Sequence, residues 1–195
     1  DNSHLRTSVA LQSTLASLIA TNDTEIIGIE ASLAAASRSD RKRLQTELNE
    51  VTAERNGNVR TLGEEKQRFY SELDLSVSGE ISGTASSDEY TNRYADYRQS
   101  LYSLTSAEHS DGIMTEKLTS AEKSEYALLQ TVIPNVNPET AAVLLPIYSS
   151  LSEKYGKPSH PDSSEETTNR NIAISNTDNS HLRTSVALQS TLASL

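Results

Sequence analysis

The first 18 residues, DNSHLRTSVALQSTLASL, return without a single change as residues 178–195. No other feature constrains the fold as much. Asp1 recurs as Asp178, 177 residues on, a spacing far longer than one helical hairpin and of the size of a whole domain. Ordinary divergence would have left substitutions, so two origins remain: a homogenised tandem array, or deliberate duplication of a terminal helix to drive head-to-tail assembly. Both make the duplicated segment a connection between successive units. On the array reading, residues 1–177 are one full helical repeat unit and residues 178–195 the first helix of the next, identical one.

The duplicated segment has helical periodicity. From Leu5 to Leu33 the apolar residues Leu5, Val9, Leu11, Leu15, Leu18, Ile19, Ile26, Ile29 and Leu33 fall on one broad face at 100° per residue. That width predicts a helix packed against two neighbours, as in a three-helix bundle, since a two-stranded seam would be narrower. Asn22 lies within this face, and a continuous helix with Asn22 as a buried, register-fixing residue is preferred over a turn at 22–24. A second helix is expected from an N-cap at Ser39 or Asp40, carrying Leu44, Leu48 and Val51. Asn56, Gly57 and Asn58 mark a hairpin turn. Val59, Leu62, Phe69 and Leu73 then resume the pattern, with Glu64 and Arg68 at a favourable i, i+4 spacing.

Gly79, Gly83 and the Ser and Thr residues of 76–87 form the clearest loop. After it, Tyr90, Tyr94, Tyr97, Leu101 and Leu104 make a helical stripe, more readily a core face with hydroxyls at its rim than a ligand platform. Asp111 can cap a helix carrying Ile113, Met114, Leu118, Ala121, Tyr126 and Leu129, which Pro134 stops. Asn137, followed by Pro138 and Glu139, opens another that runs through Val143, Leu144, Ile147 and Leu151 to Gly156, with Pro146 as an interruption or kink. Lys157 to Asp162 reads as a stiff connection. The capping pattern Ser163 to Glu166 then leads, without Gly or Pro, into the second copy. The fold class is therefore all-α: an elongated multi-helix bundle of a tandem-repeat array, with a helix continuous across the repeat junction.

Composition narrows function mainly by exclusion. Against 27 acidic residues stand 17 basic ones, a net charge of −10 that makes nucleic acid and anionic membrane poor partners. The densest basic run, Arg38, Arg41, Lys42 and Arg43, reads as a solvated helix face. With no cysteine, there is neither a disulfide framework nor a thiolate metal site. The longest nearly apolar stretch, 141–148, contains Pro146 and is too short to insert in a bilayer. Aromatic residues are only 5% of the chain and Trp is absent, which suits thin, elongated packing.

Chemistry-bearing motifs are weak. Ser39 to Lys42 and Ser120 to Lys123 are each a Ser-x-x-Lys, but the companion motifs that such catalysis needs are missing. The histidines, His4, His109, His160 and His181, have no partner at metal-ligand spacing. Paired acids at 64–65, 88–89 and 165–166 suit first-turn or solvated positions. Asn22-Asp23-Thr24 is an N-glycosylation sequon on an expected buried helix. No catalytic residue, cofactor or metal is assigned. The expected role is a helical spacer or scaffold rod; alternatives are an extracellular stalk or adhesin repeat and, behind both, an enzyme or small-molecule binder. The expected partners are neighbouring repeats and head-to-tail self-association, through Leu182, Val186, Leu188, Leu192 and Leu195.

Overall fold

The computed structural model describes residues 2–106 and 112–156. Among these, every regular element is helical and no strand occurs. In chain order they are α1 (Ser3–Ala35), α2 (Arg38–Ile81), α3 (Ser87–Ser106), α4 (Thr115–Val132), a single 3-10 turn (Ile133–Asn135) and α5 (Pro138–Tyr155). The predicted all-helical bundle is thus present.

Each boundary has a local cause. The chain turns sharply after α1, and Ser37 caps α2 by accepting a hydrogen bond from the Asp40 amide; Ser39 and Asp40, the predicted caps, lie inside the first turn. Helix α2 continues to Ile81 because Val77 and Ile81 are buried, so the predicted loop over 76–87 shrinks to five residues, 82–86. There Gly83 adopts φ +81°, a left-handed conformation costly to residues with a Cβ. Ile113 and Met114 precede α4 rather than belonging to it, and Asp111 lies outside the described residues. Pro134 ends α4 in the 3-10 turn, and Asn137 caps α5 by accepting from the Thr140 amide at 2.9 Å. Pro146 is accommodated within α5.

The hairpin predicted at 56–58 is absent: α2 runs straight through it for 44 residues, about 66 Å at 1.5 Å rise per residue. Turn propensity loses here to tertiary bonds. Asn56 donates to the Gly112 carbonyl at 2.6 Å, and Asn58 donates to Asn22 Oδ1 at 2.9 Å. Helical geometry is what aims both amides, while Gly57 between them faces open space.

Consecutive helices run antiparallel. Ser8 meets Glu65 while Asn22 meets Asn58, so rising numbers on α1 pair with falling numbers on α2. Helix α3 packs on α2 and α4, and α5 packs on α4 and also touches α1. The core is centred on α2, where Phe69, Tyr70 and Tyr97 stack edge-on at 5.0 and 4.9 Å above Leu73, Leu101, Leu104, Leu128 and Leu129. Helices α2 and α3 approach so closely at Gly63 that a Cβ there would meet Thr105 Cγ2 at 2.8 Å. The predicted tyrosine stripe of α3 does face the core, with Tyr90 and Tyr97 buried and Tyr94 partly so.

Burial is uneven along the α1–α2 pair. Of residues 27–54, which span the far ends of both helices, only Leu44 is buried. Ile29, Leu33, Leu48 and Val51 are partly covered. This is the exposure pattern of two helices that cover only each other.

Candidate functional site

Helix α1 contacts α2 through a seam that apolar periodicity alone misdescribes. The buried positions are Leu5, Ser8, Gln12, Leu15, Ser17, Ile19, Ala20, Asn22 and Ile26, and all but Ser17 and Ala20 are spaced alternately by three and four residues in a heptad pattern. Four of the nine, Ser8, Gln12, Ser17 and Asn22, are polar. Leu11 and Leu18, predicted on the packed face, are 44% and 45% exposed beside the seam. The buried face of α1 stays broad, with Ser17 and Ala20 covered beside the seam and with α5 as well as α2 touching α1. Leu11 and Leu18 form an exposed edge, while Ser8, Gln12 and Asn22, absent from an apolar count, are bonded across to α2.

Those bonds form a ladder. Near the N-terminus, His4 lies 3.6 Å from Glu72, and Ser8 donates to Glu65 Oε1 at 2.6 Å. Gln12 Nε2 donates to Ser8, and its Oε1 accepts from Lys66 Nζ at 3.1 Å. Further along, Asn22 accepts from Asn58, and Asp23 pairs with Arg55. Asn22 is buried mid-helix as predicted, which places the sequon inside the seam. Asn amides paired across a helical seam favour one register, since any slip leaves them buried and unbonded.

The deepest polar group on the ladder is an ion pair. Lys66 Nζ lies 2.7 and 2.9 Å from the two carboxylate oxygens of Glu125, with side-chain exposures of 14% and 2%. Tyr70 donates its hydroxyl to Glu125 Oε2 at 2.6 Å. The Tyr97 hydroxyl, also buried, approaches the same carboxylate without completing a hydrogen bond. Burial raises the ionisation of both tyrosines well above the usual range, and the Glu125 charge raises it further. Four helices meet here: Gln12 from α1, Lys66 and Tyr70 from α2, Tyr97 from α3 and Glu125 from α4. With both tyrosines held neutral and the ion pair saturated, the cluster is built to hold charge in place.

Elsewhere the charged side chains sit at the surface or bridge neighbouring helices. Lys154 of α5 bonds Glu122 of α4 at 2.7 Å. Arg68 pairs with Glu65 and Glu72, not with the predicted Glu64. Arg38, Arg41, Lys42 and Arg43 are exposed, as predicted. Of the two Ser-x-x-Lys motifs, Ser39 and Lys42 lie exposed at the start of α2, and Lys123 sits 5.8 Å from the Tyr155 ring. That contact borders an open cleft lined by Lys123, Tyr126, Gln130 and Tyr155. Among the described residues no group of side chains is arranged to hold a metal ion, and no helix is long and apolar enough to cross a membrane.

The predicted inter-repeat contacts Leu182, Val186, Leu188, Leu192 and Leu195 lie outside the described residues, but each has a described twin in the first copy. Leu5 and Leu15 are buried, Val9 is packed against the core, and Leu11 and Leu18 are exposed. Ser8 and Gln12, the polar half of the same surface, and the Lys66–Glu125 pair escaped the sequence reading. Comparison with protein-family models, curated proteins and solved structures finds no match to this chain.

Proposed function

We propose that this chain is a unit of a helical structural array, acting as a spacer or scaffold in which identical units follow one another. The observation that carries the reading is that the recurring 18-residue segment is a core element in its first occurrence. Leu5, Ser8, Gln12 and Leu15 are all buried against the bundle, so a segment of the same sequence brings a ready-made packing surface to whatever follows it. A helix about 66 Å long, against a diameter of roughly 40 Å for a compact globule with a radius of gyration of about 16 Å, suits a unit that sets distance. The polar ladder fixes the register of α1 on α2, which a spacer needs if its length is to be constant.

The test is to join one, two and three 177-residue units in one chain and measure small-angle scattering. A constant increment in maximum dimension per unit is expected. Dimensions that grow only as the cube root of mass would mean that the units collapse on each other, and would overturn the spacer reading.

A further inference from the structure

The N-terminal half of α1 sits in a seat whose recognition groups can be named. Glu72 faces His4, Glu65 accepts from Ser8, and Lys66 donates to Gln12, while Leu5 and Leu15 fill the apolar part. Every one of these five residues recurs, as His181, Ser185, Gln189, Leu182 and Leu192. The seat therefore has no chemical means of telling the two copies apart.

The path of the chain brings the second copy within reach. Near the end of α5, Lys154 is bonded to Glu122; one turn along α4 from Glu122 lies Glu125, which holds Lys66, and Lys66 holds Gln12. Helix α5 also touches α1 directly. The connection of 21 residues, 157–177, can span up to about 70 Å when extended, more than the roughly 27 Å length of an 18-residue helix. A tether of this length holds its segment at an effective concentration on the order of millimolar.

We propose that residues 178–195 are a competing occupant of the α1 seat of the chain that carries them. The first copy holds the seat in the structure because it continues into the rest of α1, adding Ile19, Asn22 and Ile26 to the contacts. The second copy offers the same contacts up to Leu18 and takes the seat when the first opens. In an array, each seat would then be open to its own helix and to the first helix of the following unit. The inference rests on the seat and the sequence identity, and does not need the spacer reading to hold.

The chain has no cysteine, so a single pair can be introduced and joined with a short thiol cross-linker. The partner positions His4 and Glu72 are exposed enough to react. In the full chain, Glu72→Cys with His181→Cys should cross-link within one molecule at least tenfold faster than Glu72→Cys with His160→Cys, which samples the same tail outside the repeat. Adding Leu5→Asp and Leu15→Asp should raise the rate further by evicting the first copy. Adding Leu182→Asp and Leu192→Asp should return it to the His160 level while leaving the fold, carried by the first copy, intact. A rate equal to the His160 control, a rate indifferent to Leu182→Asp and Leu192→Asp, or a product joining two chains would each overturn the proposal. The scattering of concatenated units is indifferent to this result, so the two readings fail separately.

Discussion

Removing Lys66 isolates the effect of the buried ion pair. In Lys66→Met the aliphatic stem is roughly kept, but Glu125, 2% exposed, loses two charge-assisted contacts and retains the Tyr70 hydroxyl as its remaining bonded donor. Stranding one member of a buried pair costs about 3–5 kcal/mol. At roughly 2–4 °C per kcal/mol for a chain of this size, the melting temperature should fall by about 6–20 °C. Glu125→Leu should cost a comparable amount by leaving the ammonium unpaired. The double variant removes both charges and newly strips partners from two neutral groups, the Tyr70 hydroxyl and the Gln12 carbonyl oxygen, at about 1–3 kcal/mol each and less than the two stranded charges together. Its cost should therefore fall short of the two single costs added. Urea denaturation followed by circular dichroism at pH 7 measures all three, giving a coupling energy of about 3 kcal/mol or more. If the two single effects simply add, or either is below about 1 kcal/mol, the groups do not share a dry site and the account of the cluster is wrong.

Two glycines of α2 should respond oppositely to alanine. Gly57→Ala, with open space around its Cβ, should gain about 0.5–1 kcal/mol from helix propensity, whereas Gly63→Ala must displace Thr105 and Leu104 and should lose about 1–3 kcal/mol; urea midpoints decide. Asn56→Ala should cost about 1–3 kcal/mol, because the Gly112 carbonyl and the Met114 amide both lose the Asn56 amide, and thermal melting reads it. Burial first, and then the Glu122 charge, pushes Tyr155 up to about 12, and burial holds Tyr70 and Tyr97 well above the usual tyrosine value. The folded state thus keeps protons that the unfolded chain releases near pH 10, so stability is full below pH 10 and falls as pH rises from 10 through 12. Tyrosinate absorbance should show Tyr70 and Tyr97 ionising only together with unfolding; ionisation of all eight tyrosines near pH 10 in the folded chain contradicts this.

The helical class, the continuity of α1 through Asn22, and the Pro134 and Asn137 boundaries were legible because each depends on local chemistry or strong periodicity. The turn misassigned at 56–58 shows the limit of that reasoning. Asn-Gly-Asn has turn propensity in isolation, and only partners at Asn22 and Gly112 reveal why the helix continues. Residues 76–81 were misread for a related reason: Val77 and Ile81, two apolar residues among Ser and Gly, suffice to hold the last turns once a core is beside them. The ion pair did leave a trace. Lys66 lies between Leu62 and Phe69 on the apolar stripe of α2, and Glu125 between Ala121 and Leu128 on that of α4. Two opposite charges at core positions of different helices suggest a pair, though periodicity cannot say which helices adjoin. Ser8 and Gln12 were missed because counting only apolar residues removes from view the polar members of a seam.

The far ends of α1 and α2, where burial fades to Leu44 and a row of half-covered side chains, give the molecule an adjustable dimension. Two antiparallel helices that pair on a heptad repeat can each be lengthened or shortened by seven residues and still bring the same faces together. An insertion of seven after Ile29, matched by seven before Leu48, would carry the turn at 36–37 about 10 Å farther out at 1.5 Å per residue. Nothing from Arg55 inward would have to move. The core thus specifies where this arm begins, and the chain between Ile26 and Arg55 specifies how far it extends.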